Sequence, residues 1–340
     1  MAKKRRQKPL PIPPRPRRRP WSREFRLQLA VVTAFAVLLV GIVAGFAYFF
    51  FQEWYQENVQ RPHSEAVQVG ETTLDLDYFT RRLTLLVADY SLQQQSDQAS
   101  VVVSLMVSAV EGEELVLQRA PADLGVTVSP AEIELAISDR LGLTASDPAA
   151  FASAYEQELK RSGLSDEEYR RMMEANLLSD KVQRVFSLSV PDTVEQVRMR
   201  QILVGTEDDA RSVLERLDAG EDFGDLAREL SLDSATKDQG GELDWVARDE
   251  LDLSYAVKVF DLEVGIPSQP IPGPGGYFIF EVEEKQLDRE VTDDQRSTIS
   301  SNYFSLWLNE QRTFLAVPET QPLLLDTNKL QWAVNRAFSL

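Results

Sequence analysis

The sequence predicts an α+β protein carried on a single N-terminal transmembrane helix. Three observations carry that reading. An uncharged run of 23 residues, Leu29–Phe51, follows a strongly basic start. A long stretch behind it holds helix starts marked by capping boxes and apolar stripes at helical spacing. From about residue 195 the pattern changes to strand, three helices and strand, the order of a small domain with an antiparallel sheet. The chain then divides into a basic disordered arm (1–27), a transmembrane helix (28–51) and a linker (52–65). A helical domain (66–194), a small sheet domain (195–287), a C-terminal helix (288–317) and a tail (318–340) follow.

The first two segments are read from charge and length. Residues 1–26 hold eleven Lys/Arg against one acid, a charge of +10, whereas the remainder carries −28 of the formal −18 total. At ~1.5 Å per residue the Leu29–Phe51 run crosses a hydrocarbon core of ~30 Å. Trp21 before it and Trp54 and Tyr55 after it suit the interfacial belt. The run is longer than a signal h-region and lacks a small-x-small cleavage site, so it reads as an uncleaved anchor. Basic flanks stay cytoplasmic, which places residues from about 52 outside. The Pro/Arg-rich arm cannot build a core. It reads as a topology determinant that touches anionic lipid heads, in preference to a nucleic-acid or proline-domain ligand.

In the helical domain, Val67–Leu74 reads as strand, turn and strand, with a helix from about Asp75. Asp147-Pro148 supplies an N-cap and an N1 proline. Ser129-Pro-Ala-Glu132 and Ser165-Asp-Glu-Glu168 are capping boxes, in which hydroxyl and carboxylate satisfy free N–H groups reciprocally. Ile133, Leu135, Ala136 and Leu141, and then Met172, Met173, Leu177 and Leu178, mark the buried stripes. In the sheet domain, Val197–Val204 is a strand. Thr206 caps a helix over Glu207–Leu217, Phe223–Leu230 is a second helix, Gln239–Leu243 a turn, Ser254–Phe260 a third helix and Gly276–Val282 a closing strand. Thr292-Asp-Asp-Gln295 opens a helix through about Ala316, with Ile299, Tyr303, Leu306 and Trp307 on it and Pro318 ending it. The tail, with Leu323–Leu325 and Trp332, packs on the core or meets a partner.

Composition narrows the chemistry. Zero cysteine excludes disulfides, thiolate nucleophiles and Cys-bound metals. One histidine, His63, excludes H-E-x-x-H sites, and its place in the linker removes histidine-dependent catalysis from the body of the protein. Ser234-Ala-Thr-Lys237 matches S-x-x-K without the companion motifs. The carboxylates at 207–209 and 249–252 read as solvated faces. No metal or other cofactor is expected.

The runs R-Q-I-L-V (200–204), L-x-A-G-E-D-F-x-x-L-A (217–227), S-x-D-S (231–234), G-G-E-L-D-W (240–245), V-F-D-L (259–262) and G-G-Y-F-I-F-E-V (275–282) resemble the parvulin (PpiC) family of peptidyl-prolyl isomerases in order and spacing. L-G-V-T-V-S-P-A-E-I (124–133) and S-G-L-S-D-E-E-Y (162–169) resemble the chaperone domain of SurA- and PrsA-type foldases. The resemblance implies cis–trans isomerisation of X–Pro bonds by a membrane-anchored extracytoplasmic foldase. The implied partners are unfolded or proline-containing exported polypeptides. It also implies that the C-terminal helix packs back on the helical domain. The family's pocket positions fall on Leu251 and Tyr255, with Phe260 beside them, and its central polar position on Asp233. The family's two histidines are replaced by Gln201 and Phe278. Gln201 can still donate and accept hydrogen bonds and Phe278 can do neither, so a weakly active or inactive peptide-binding scaffold is the alternative.

Overall fold

The computed structural model describes residues 23–92, 98–143, 148–315 and 325–338. Most of the basic arm, Trp21, Asp147, Pro318, Leu323 and Leu324 lie outside them. The chain forms two units, residues 1–63 and 64–340.

In the first unit, α1 (Arg23–Tyr55) is continuous and contains the whole apolar run. Its large apolar side chains are exposed from Phe25 to Trp54, and the helix is long and apolar enough to cross a membrane. The expected linker is helical as far as Gln60, through a π-helical turn Gln56–Gln60. Residues 52–60 contain no Pro or Gly, so nothing breaks the helix before Pro62.

The second unit opens with a hairpin, β1 (Glu65–Val69) and β2 (Thr72–Asp75), and then α2 (Leu76–Asp89), which Asp75 caps. No expected element covers the helix α3 (Ala99–Leu124), which ends at Gly125 with a φ of +64°. Three more helices follow: α4 (Pro130–Arg140), α5 (Pro148–Ser162) and α6 (Asp166–Ser189). The boxes at Ser129 and Ser165 both form as expected. Met172, Met173 and Leu178 are buried. Leu135 is not; it faces solvent, and Ile137, one helical turn on from Ile133, fills the core instead.

The sheet has four antiparallel strands in the order β4-β3-β6-β5: β3 (Thr193–Val204), β4 (Glu242–Ala247), β5 (Ile271–Gly273) and β6 (Gly276–Glu290). Two of them, β4 and β5, were hidden in turn-like sequence. The expected turn at 239–243 gives way to strand at Glu242. Between strands lie α7 (Glu207–Asp218), α8 (Phe223–Leu230) and α9 (Leu253–Phe260). Strand alternation sends Ile202, Val204 and Ile279 to the α7–α8 face, where they pack with Val213, Phe223 and Leu226. Val197, Met199, Phe280 and Val282 go to the α9 face with Val259 and Phe260.

The C-terminal helix α10 (Asp293–Phe314) packs back on the helical domain. Its Trp307 is buried with Val116 of α3 and Leu178 and Val182 of α6. Leu306 is exposed, one position off that stripe. Arg296 donates to the Val190 carbonyl at 2.6 Å and the Ser187 carbonyl at 3.2 Å, closing the end of α6. In the tail, α11 (Thr327–Ala337) sets Trp332 and Ala333 into the core formed by β1, α2 and α3.

Candidate functional site

The candidate site lies on the α9 face of the sheet, where β3 leaves β4. At that point a loop replaces β4 along the edge of β3. Leu232 N–H donates to the Leu203 carbonyl at 2.7 Å, and the Ser231 hydroxyl accepts from Leu203 N–H at 3.2 Å. The same hydroxyl accepts from Asp233 N–H at 3.2 Å, which fixes the backbone at that residue. Gly241 completes the approach, its carbonyl accepting from Gln201 N–H at 2.8 Å. A Cβ there would lie 2.2 Å from the Gln201 carbonyl oxygen, so only glycine fits.

Gln201 and Asp233 meet directly, the amide Nε2 donating to Asp233 Oδ2 at 2.8 Å. The Thr236 hydroxyl donates to the same oxygen, and Ala235 N–H donates to Oδ1 at 3.1 Å. These donors, Thr236 foremost, together hold the Asp233 carboxyl below its usual range against burial, whose opposing effect is second to that of Thr236. Asp233 therefore acts as an acceptor that already holds three donors. Thr236 is not among the expected site residues, and Ser231 is expected only as part of the S-x-D-S run (231–234). The bond from Ala235 N–H is an Asx-type turn, in which an Asp accepts from the backbone two residues on.

The apolar positions gather beside this pair. Register places Gln201 opposite Phe280 and Leu203 opposite Phe278, all on one face. Phe278 and Phe280 stack with centroids 5.6 Å apart and planes 3° from parallel. Tyr255 stands edge-on to both, at 5.7 and 5.8 Å. Its hydroxyl is aimed at the β5–β6 turn: a Cβ on Gly273 would lie 1.9 Å from it and 2.8 Å from Phe278 Cε2. The hydroxyl thus lies against backbone at the rim. Leu251 packs in the same cluster, partly buried. Phe260 is buried beneath, and the Arg248 guanidinium lies 4.4 Å from its ring centroid. All six expected positions therefore fall on one sheet face, with Gln201 bonded to Asp233 and Phe278 joined to the aromatic stack. His63 is exposed and belongs to the other unit. Among the described residues no cluster of potential metal ligands occurs.

Residues 188–286 match the family described as PPIC-type PPIASE domain, and residues 23–183 match the family described as SurA-like N-terminal domain. The chain therefore carries a parvulin-type domain. That domain is joined to a SurA-like N-terminal domain, the pairing found in SurA/PrsA-like foldases. Foldase protein PrsA 2 of Bacillus anthracis is 28% identical over 167 residues, 48% of this chain and 56% of that protein. The periplasmic chaperone PpiD of Haemophilus influenzae is 34% identical over 115 residues, 32% of this chain and 18% of that one. The crystal structure of the B. anthracis peptidylprolyl isomerase PrsA aligns with a TM-score of 0.42 at 20% identity, covering 68% of this chain and 97% of that one. The chain spans about half the length of the PrsA relatives it matches.

Proposed function

We propose that this protein is a membrane-anchored extracytoplasmic foldase whose parvulin-type domain isomerises X–Pro bonds in exported polypeptides. The observation that supports it best is the aromatic wall of Tyr255, Phe278 and Phe280 beside the bonded Gln201–Asp233 pair. Rotation about the peptide bond meets a barrier of ~18–20 kcal/mol, most of it amide resonance. A dry apolar wall of Tyr255, Phe278 and Leu251, backed by the buried Phe260, would hold the proline ring and strip water from the amide, favouring the twisted form. Gln201 is oriented by Asp233 and offers the polar contact next to that wall. No bond breaks, so a nucleophile is not required.

A second reading has its own observation. Phe278 carries no polar atom and is stacked on Phe280, so the polar network stops at Gln201 and Asp233. A pocket of that kind binds proline segments with little acceleration. Proline-tetrapeptide isomerisation by the full chain in detergent micelles separates the two readings. Acceleration that falls roughly tenfold in Tyr255→Ala and Asp233→Ala is expected, the loss of about one good contact each. Wild-type protein that suppresses aggregation of an unfolded client while leaving the exchange rate uncatalysed would establish the scaffold instead.

A further inference from the structure

The loop that carries Leu251 is held from outside the sheet domain. A 3-10 turn, Arg248–Glu250, joins β4 to Leu251 and α9. Three side chains of α10 grip it. Gln295 Nε2 lies 2.9 Å from Glu250 Oε2, 3.1 Å from Gln196 Oε1 and 3.2 Å from the Trp245 carbonyl. Asn302 Nδ2 donates to the Asp249 carbonyl at 2.8 Å, and the Tyr303 hydroxyl donates to the Asp249 carboxylate. Glu250 passes the connection inward, accepting from Ala247 N–H at 2.6 Å. Leu251 sits at the junction, between the aromatic cluster and a groove of about 400 Å³ against α10.

The identity of residue 295 is what makes the connection available. It occupies the N3 position of the α10 capping box, and its Oε1 accepts from Thr292 N–H at 3.2 Å. A glutamate closes such a box equally well. Glutamine leaves an NH2 group over, and here that group is buried and directed at three acceptors of the sheet domain. The cap and the grip are therefore two separable jobs of one side chain.

We propose that Gln295 is a positioning residue for the Leu251–Tyr255 wall, with Asn302 and Tyr303 supporting it, so that the helix seated in the helical domain sets the geometry of the proline pocket. This rests on the reading of that wall as the proline site. Through Trp307, α10 is packed against α3 and α6, so the same helix contacts the helical domain at one end and the pocket loop at the other.

The test is a set of three variants of the full chain in detergent. Gln295→Glu keeps the cap, removes the donors and sets a second carboxylate against Glu250. Thr292→Ala weakens the cap and keeps the donors. The pair Gln295→Glu with Glu250→Gln restores one α10-to-loop hydrogen bond in the reverse direction. In Gln295→Glu, amide exchange of residues 248–253 is expected to rise roughly tenfold, with KM for a proline peptide rising by a similar factor at nearly constant kcat. Exchange in α3 and α6 should be unchanged, which reports that the protein is folded. The reversed pair should recover most of both effects, and Thr292→Ala should loosen the first turn of α10 without moving KM. Wild-type exchange at 248–253 in Gln295→Glu, or loosening only in step with the α10 first turn, would overturn the proposal. Wild-type protein that does not catalyse isomerisation refutes the functional reading alone. The exchange of residues 248–253 still decides whether Gln295 holds the loop.

Discussion

Asp233 and Gln201 make one unit, and the consequence appears in pH dependence. Sites that use histidine change charge between about pH 5 and 8. Here the Asp233 carboxyl is held below its ordinary range by the Thr236 hydroxyl first, then by the Gln201 amide and the Ala235 N–H. A depressed acid contributes above its unfolded value of ~3.9, and the contribution is lost as pH falls through the lower folded value. The isomerisation rate constant kcat/KM is therefore expected to be flat from about pH 5 to 8 and to fall only in stronger acid. A step near neutrality would assign the rate to a group outside this pair. The residues of the pair are legible in the sequence because motif spacing fixes their places on β3 and in the loop after α8. Thr236 is not, because a hydroxyl three residues from an acid acquires meaning only when the loop folds back.

At the scale of elements, a single acidic turn of α3 ties three other helices together. Glu111, Glu113 and Glu114 each meet an arginine from a different helix. Arg82 of α2 forks onto Glu113 at 2.6 and 2.7 Å, Arg171 of α6 meets Glu114 at 2.8 Å, and Arg312 of α10 meets Glu111. Glu111, Glu114 and Arg82 are buried, so these pairs differ from the screened surface pairs elsewhere. Removing one member strands the other's charge. Glu113→Ala is expected to destabilise the fold by ~3 kcal/mol, read as a lower urea midpoint. Replacing Arg82 and Glu113 together by Met and Leu should cost much less, and an equal loss would show that packing rather than charge holds the turn. The sequence marks α4, α6, α7 and α10 through their caps, whose side chains act within four residues. It conceals α3, because no capping side chain closes its start, at Gln98, and its partners lie 31 to 201 residues away. The strand β4 was obscured for a related reason: Glu242-Leu-Asp-Trp is a strand only because β3 lies beside it.

For the whole molecule, charge and hydropathy make one prediction about placement in the membrane. The apolar helix is flanked by +10 on one side and followed by −28 on the other. Lys/Arg near a span are retained on the cytoplasmic side, and anionic lipid heads add about 1 kcal/mol for each one near the surface. The arm should therefore lie inside and residues 64–340 outside. Because the chain contains no cysteine, a single introduced thiol reports its own side. Asp218 is exposed on α7, and Lys8 lies in the arm. In spheroplasts, a membrane-impermeant maleimide is expected to label Asp218→Cys at once and Lys8→Cys only after lysis. The opposite pattern would place the parvulin-type domain in the cytoplasm and remove exported chains as its substrates. Protection of both positions until lysis would mean that α1 does not span, and the foldase reading would then lose its anchor. Labelling as expected would set the pocket where newly exported chains emerge, and where X–Pro bonds isomerise in tens to hundreds of seconds without a catalyst.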